Sequence, residues 1–215
     1  MTDREPDRGA VRRAYDALAA SYAETYHDEL ARIPFDRRVV DAAFAGVPPG
    51  GRVADIGCGP AQVVLHLRAA GLCPVGLDLT PAMLREARRQ APDLPLAVAD
   101  VLRLPLRTGS CSGALSRFVL HHLPRAAVPA ALAEMRRVVA RGGALLVVVQ
   151  GGTGERTVAY DRAGEPDQVV ATLYQADELA GLVTAAGFAV VAVDGRAPRP
   201  EEHQAPKVYV TARAV

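Results

Sequence analysis

The chain has 215 residues, half of them hydrophobic, with a mean hydropathy of +0.09: enough apolar mass for one packed domain, too little length for two independent cores. Lys+Arg 25 against Asp+Glu 24 leaves a net charge of +1, which argues against a large basic field of the kind that grips nucleic acid or a membrane. Cys58, Cys73 and Cys111 stand in no CxxC or CxxH spacing, so neither a disulfide framework nor a metal site is expected; with no signal-like apolar core near the start and no run long enough to span a bilayer, a cytoplasmic protein is.

In chain order, Val11, Tyr15, Leu18 and Tyr22 recur at helical spacing and predict an amphipathic N-terminal helix, with residues 1–46 reading as a helical lid. By the same spacing Tyr15, Tyr22 and Tyr26 read mostly as core, Tyr22 being the one placed over a ligand pocket. From about residue 51 to 150, short β-branched or Leu-rich runs alternate with helical stretches, the pattern of a parallel sheet covered by helices. A strand over 52–56 follows the turn Pro48-Pro49-Gly50-Gly51, and a helix over 61–70 ends at Gly71. A strand over 74–78 leads to Thr80 as N-cap and Pro81 at the first position of a helix reaching about 91. A strand over 96–100, a loop over 101–110, a strand over 111–118 and a helix over 126–137 come next, and Gly142-Gly143 opens a strand over 144–149. Four glycines make 151–166 read as a loop. A helix over 176–186, stopped by Gly187, and strands over 188–194 and 207–212, joined by a proline-rich loop, complete seven strands with five intervening helices. Residues 47–150 form the expected ligand-binding core and 151–215 the substrate-side part with the last two strands.

The chemistry concentrates at three strand ends. Asp55-Ile-Gly57-Cys58-Gly59 closes the first strand where glycines let the backbone approach a ligand. Gln62 stands where a dinucleotide fingerprint has its third glycine, and Asp55 is ill suited to an anionic pyrophosphate but well suited to a ligand ammonium. Asp78 follows 19 residues after Gly59, placed to accept ribose hydroxyls, and Asp100 ends the third strand, where a carboxylate can accept from an adenine amine. A ligand with an ammonium, a ribose and an amine-bearing base, but no phosphate, is S-adenosylmethionine.

The chain resembles class I S-adenosylmethionine-dependent methyltransferases, in particular the small bacterial enzymes that act on small molecules. The resemblance is carried by DIGCG at 55–59, GLD at 76–78, AD at 99–100, SRFVLHHLP at 116–124, EMRRVVARGG at 134–143, YQADELAGLVTAAGF at 174–188 and YDALAASYAE at 15–24. Two positions depart from it: Pro60-Ala61 follows GCG, and Arg141 precedes Gly142-Gly143 where the family commonly has proline. It implies an α/β Rossmann-like fold with strand order 3-2-1-4-5-7-6 and the last strand antiparallel. It also implies a cofactor set of Tyr22, Asp55, Gly57, Cys58, Gly59, Asp78, Leu79, Met83, Asp100, Val101 and Ser116, with S-adenosylhomocysteine as product.

His121 and His122 follow the fourth strand, where this fold meets its acceptor. Either could remove a proton as the acceptor attacks, or fix the loop through backbone contacts. Arg117 could hold an acidic acceptor or pair with a nearby acid. Arg117, His121, Tyr160 and Tyr174 are the residues expected to shape the acceptor pocket. Cys58 reads as a small turn residue rather than a catalytic thiol, and Lys207, the chain's only lysine, has no evident role.

The expected activity is methyl transfer to an oxygen, nitrogen or carbon of a small molecule, by a monomer or homodimer. A non-methylating reaction of the cyclase or decarboxylase type on the same fold is the alternative. RNA, DNA or protein methylation is less favoured, because the net charge is near zero and no binding module is appended.

Overall fold

Apolar side chains on successive positions of the central strands point to opposite faces, so the sheet needs helices on both sides. The computed structural model describes residues 7–160, 167–200, 202 and 204–215. Five strands, β1 (Arg52–Ile56), β2 (Cys73–Asp78), β3 (Leu96–Val98), β4 (Cys111–Arg117) and β5 (Val139–Gln150), pair in parallel. β6 (Glu155–Tyr160) and β7 (Asp167–Thr172) form a separate antiparallel pair. β8 (Phe188–Arg196) and β9 (Lys207–Ala214) return to the main sheet. Its order is β3-β2-β1-β4-β5-β9-β8, with β9 antiparallel to both neighbours. That is the expected order; the extra pair β6–β7 only shifts the numbering of the last two strands.

The helices are α1 (Arg8–Tyr26), α2 (Glu29–Arg32), α3 (Pro34–Phe44), α4 (Gln62–Ala69), α5 (Pro81–Gln90), α6 (Val128–Val138) and α7 (Ala176–Ala185). Along β5, Leu145, Val147 and Val149 pack with Leu132 and Met135 of α6 and Leu179 and Val183 of α7. The alternate residues Leu146 and Val148 pack with Val40 and Phe44 of α3 and Leu67 of α4. Each such fully buried side chain is worth roughly 1.5–3 kcal/mol over its exposed state. Among the described residues no helix is long and apolar enough to cross a membrane.

Several local expectations are corrected. Residues 155–160 are a strand rather than loop, because the alternating run ERTVAY pairs with DQVVAT in register; the flanking glycines concealed it. β5 begins at Val139, directly from α6, and Gly142 at φ +75 lies within it, near a register shift against β4. β3 stops at Val98, and Asp100 has already turned out of the sheet. The first 46 residues are not all lid. α3 is a layer of the core, anchored by Asp36, which is 1% exposed and accepts from Tyr209 Oη (2.8 Å), Arg196 Nε (2.6 Å) and Arg117 Nη2 (3.1 Å).

α1 buries alanines (Ala10, Ala14, Ala19 and Ala23), while Tyr15, Tyr22 and Tyr26 are only half-buried. Tyr15 and Tyr22 pack against the small cluster of Ala19, Ala82 and Met83 that joins α1 to α5, and the rings of Tyr15, Tyr22 and Tyr26 also line cavities. Thr80 occupies the N-cap position of α5 without a side-chain capping bond. Asp16 of α1 accepts from the Ala82 amide instead, at 3.1 Å.

Candidate active site

The strand order reverses between β1 and β4, and the crevice beyond the carboxyl ends of such strands is where open α/β sheets take ligands. The turn after β1 is held by Leu77 of β2, whose carbonyl accepts from the amides of Gly57 (2.7 Å) and Cys58 (3.0 Å). Gly57 sits at φ +77, and a Cβ there would lie 2.0 Å from Val119 Cγ2. Glycine is thus required twice over, by backbone conformation and by the close approach of the loop after β4.

Asp78 closes β2 and faces this turn. Its Oδ2 accepts from the Gly59 amide and its Oδ1 from the Thr80 amide, both at 2.8 Å. Burial raises its pKa, and those two amides work against the rise. Each carboxylate oxygen keeps a further lone pair for a ligand hydroxyl. Asp55 lies behind the turn, 2% exposed, with Oδ2 lacking any hydrogen-bond partner among the described residues. Burial pushes its carboxyl up to about 7; the Arg117 cation lowers it in part and the Asp78 charge adds to the rise. Asp100 accepts from the Leu102 amide at 3.0 Å and is ion-paired with Arg8 of α1, which reaches across the crevice mouth.

Two cavities result. The first, about 120 Å³, is lined by Gly57, Gly59, Asp78, Leu79, Met83, Asp100 and Val101 of the expected set, by Tyr22, and by Arg8, Tyr15, Phe118, Val119 and His122. The second, about 280 Å³, shares Tyr15, Tyr22 and Phe118 with it and adds Tyr26, Glu29, His121, Gln150, Glu202 and Lys207. Between them runs a polar chain: Tyr15 Oη is 3.0 Å from His122 Nε2, which is 3.1 Å from His121 Nε2. Two facing ring nitrogens that close cannot both carry hydrogen, so the imidazoles share one proton position at this contact.

Some expected site residues are elsewhere. Cys58 turns its thiol into the core among Ala61, Val64 and Leu84, where burial raises its pKa well above normal and leaves it inert. The Ser116 side chain is buried and lines neither cavity, and Asp55 stands behind the wall of the first rather than in it. Tyr174 is fully buried core, its ring 4.8 Å beneath the Arg125 guanidinium, and lines neither cavity. Tyr160 ends β6, and its side chain lies outside the described residues. Arg117 does border the first cavity, but its guanidinium pairs with Glu29 (3.3 Å) and Asp36 (3.1 Å). Burial disfavours that cation, yet the two acids more than offset it and hold its pKa above normal.

The methyltransferase domain family model matches residues 54–147. A protein of Encephalitozoon cuniculi described as a methyltransferase is 34% identical over 65% of this chain and 70% of its own length. The chain belongs to the class I S-adenosylmethionine-dependent methyltransferase family. A demethylmenaquinone methyltransferase from Beutenbergia cavernae is 35% identical over 52% of the chain, and tRNA methyltransferases from frog and mouse are further relatives. The chain spans only about half of the first of these, 45% of its length. In fold, this family member is similar to the 1,6-didemethyltoxoflavin-N1-methyltransferase of Burkholderia thailandensis, solved with bound 1,6-didemethyltoxoflavin and S-adenosylhomocysteine. The TM-score is 0.73 at 23% identity, covering 96% of this chain and 88% of that one.

The residues suit the family's cofactor. The Asp55 oxygen without a hydrogen-bond partner among the described residues offers a counter-charge for an ammonium, Gly57 and Gly59 present side-chain-free backbone to the first cavity, and Asp78 retains acceptor capacity for ribose hydroxyls.

Proposed function

We propose that the protein methylates a small molecule, binding S-adenosylmethionine in the first cavity and the acceptor in the second. When bound, the cofactor supplies an electrophilic methyl group on a sulfonium. Gly57 and Gly59 would pass under its methionine part, with Asp55 as the counter-charge behind them. Asp78 would accept the ribose hydroxyls, Leu79 and Met83 would flank the base, and Asp100 with the Val101 amide would read it. Family membership and the two acids that line the first cavity, Asp78 and Asp100, with Asp55 buried behind its wall, support this assignment.

The observation that carries the reading is the adjacency of the two cavities, which share Tyr15, Tyr22 and Phe118 and are joined by the His122–His121 contact. Alignment of the acceptor with exclusion of water is the main contribution such a site makes. His121, on the wall of the second cavity, is positioned to take a proton from the acceptor, with His122 and Tyr15 able to share it. α1 serves as the cover, closed by the Arg8–Asp100 pair and laid on α5 through small residues that permit separation without breaking the core. A soluble monomer or homodimer acting in the cytoplasm fits this reading.

The test is incubation of purified protein with methyl-labelled S-adenosylmethionine and a fractionated cell extract. Label in the small-molecule fraction is expected. Label confined to RNA or protein overturns the small-molecule assignment, and no transferred label at all favours a non-methylating reaction.

A further inference from the structure

Along β5 the alternate residues Leu146 and Val148 enter the apolar layer under α3, and the next position in that row is Gln150. There the row leaves the core and meets the second cavity, which Gln150 lines. Gln150 is 6% exposed. Its backbone carbonyl accepts from the Tyr174 amide at 3.1 Å, but its side chain has no such use: Oε1 is buried without a hydrogen-bond partner, and no side-chain hydrogen bond among the described residues involves this amide. A buried acceptor left in that condition costs about 1–3 kcal/mol, so a primary amide on a cavity wall points to a ligand that completes it.

The charged groups on the same walls are matched within the protein. Glu29 pairs with Arg117 at 3.3 Å, and Glu202 takes both terminal nitrogens of Arg196 at 2.7 Å. The Glu202 carboxylate also acts on Lys207, whose ammonium donates to the Ala205 carbonyl at 2.9 Å. A charged acceptor would gain no counter-ion here and would lose its hydration on entering. The aromatic walls narrow the choice further. Half of the chain's six tyrosines, Tyr15, Tyr22 and Tyr26, meet at this cavity with Phe118, and the Tyr22 and Tyr26 rings lie with centroids 4.3 Å apart. Faces of this kind stack on planar rings.

We infer that the acceptor is an uncharged, planar heteroaromatic lactam selected by Gln150, whose side-chain oxygen takes the ring N–H while its side-chain N–H donates to the neighbouring C=O. A primary amide carries a donor and an acceptor side by side, and a lactam edge answers both at once. A ketone or an ester answers only the donor and leaves the buried oxygen unsatisfied. The methylated atom then lies elsewhere on the ring, since this edge is occupied. The inference rests on the proposed function, because it assigns the acceptor chemistry of that same site.

The test titrates three probes into protein saturated with S-adenosylhomocysteine: 2-quinolone, 1-methyl-2-quinolone, which lacks the N–H, and quinoline-2-carboxylate, which carries a charge. 2-Quinolone is expected to bind at least about tenfold more tightly than either, the effect of leaving one buried group unsatisfied. In 15N spectra it should shift the side-chain amide signal that is missing from Gln150→Leu. That variant should lose the preference for 2-quinolone over its N-methyl derivative and still bind S-adenosylhomocysteine, a change in discrimination that a merely structural residue would not produce. Gln150→Met replaces it if the Leu variant does not fold. Equal binding of 2-quinolone and its N-methyl derivative, no binding of 2-quinolone, tighter binding of the carboxylate, or a preference that survives loss of the amide overturns the inference while leaving the cofactor reading intact. Failure of the wild type to bind S-adenosylhomocysteine overturns the proposed function instead.

Discussion

The buried carboxyl of Asp55 should make cofactor affinity depend on pH near neutrality. With a pKa of about 7, roughly a tenth of the ligand-free protein carries the ionised form at pH 6 and roughly nine tenths at pH 8. A ligand ammonium selects the ionised form, and apparent affinity scales with the competent fraction, so S-adenosylhomocysteine should bind about tenfold more tightly at pH 8 than at pH 6. At pH 7, binding should release about half a proton, seen in calorimetry as a dependence of the heat on buffer ionisation enthalpy. Asp55→Asn should flatten the dependence and weaken binding at pH 8 by about tenfold or more, the worth of a hydrogen bond to a charged group. The same shift has a consequence for stability. Because the folded state holds this proton more tightly than the unfolded state, the ligand-free protein should lose stability as pH rises from the ordinary carboxyl range to about 7. A pH-independent affinity, or an equal slope in Asp55→Asn, would refute the role given to this residue.

Gly57→Ala should destabilise the fold by about 2–5 kcal/mol in chemical denaturation, since it combines a left-handed backbone with a methyl driven against Val119; a change under 1 kcal/mol would show that the turn is pliable. His121→Ala should lower turnover by about a hundredfold for an acceptor protonated at the assay pH and spare one already ionised; equal losses for both would assign His121 to positioning. Arg8→Ala, which removes the half-exposed pair with Asp100, should speed S-adenosylhomocysteine release by no more than about fivefold in stopped-flow measurements, the range of a surface ion pair; an unchanged off-rate would argue against α1 as a cover.

The sheet was legible because the strands of the central region are apolar runs separated by helical stretches, and the first two stop at Gly57 and Asp78, which carry both the fold signal and the ligand signal. Asp78 could be placed at the crevice from spacing alone, since a strand fixes where its last residue emerges; Asp100 also lines it, two residues beyond the end of β3. What escaped were interactions between distant segments. The second cavity is built from α1, the loop after β4, the end of β5 and the start of β9, and no local pattern links Glu29, Gln150 and Lys207. The isolation of Lys207 among arginines was the one available hint. Helical spacing put the tyrosines of α1 on one face, and Tyr15 and Tyr22 do pack on the α1–α5 cluster, but periodicity does not tell that the same face also borders two cavities. Tyr174 failed for the converse reason: an aromatic beside the substrate region turned inward to the core under α7.

The most direct test is titration of S-adenosylhomocysteine into the wild-type protein and Asp78→Ala by calorimetry. One molecule should bind per chain, and the variant should bind at least about tenfold more weakly, having lost the acceptor for the ribose hydroxyls. Wild-type protein that binds none, or a variant that binds as tightly as wild type, would contradict the account.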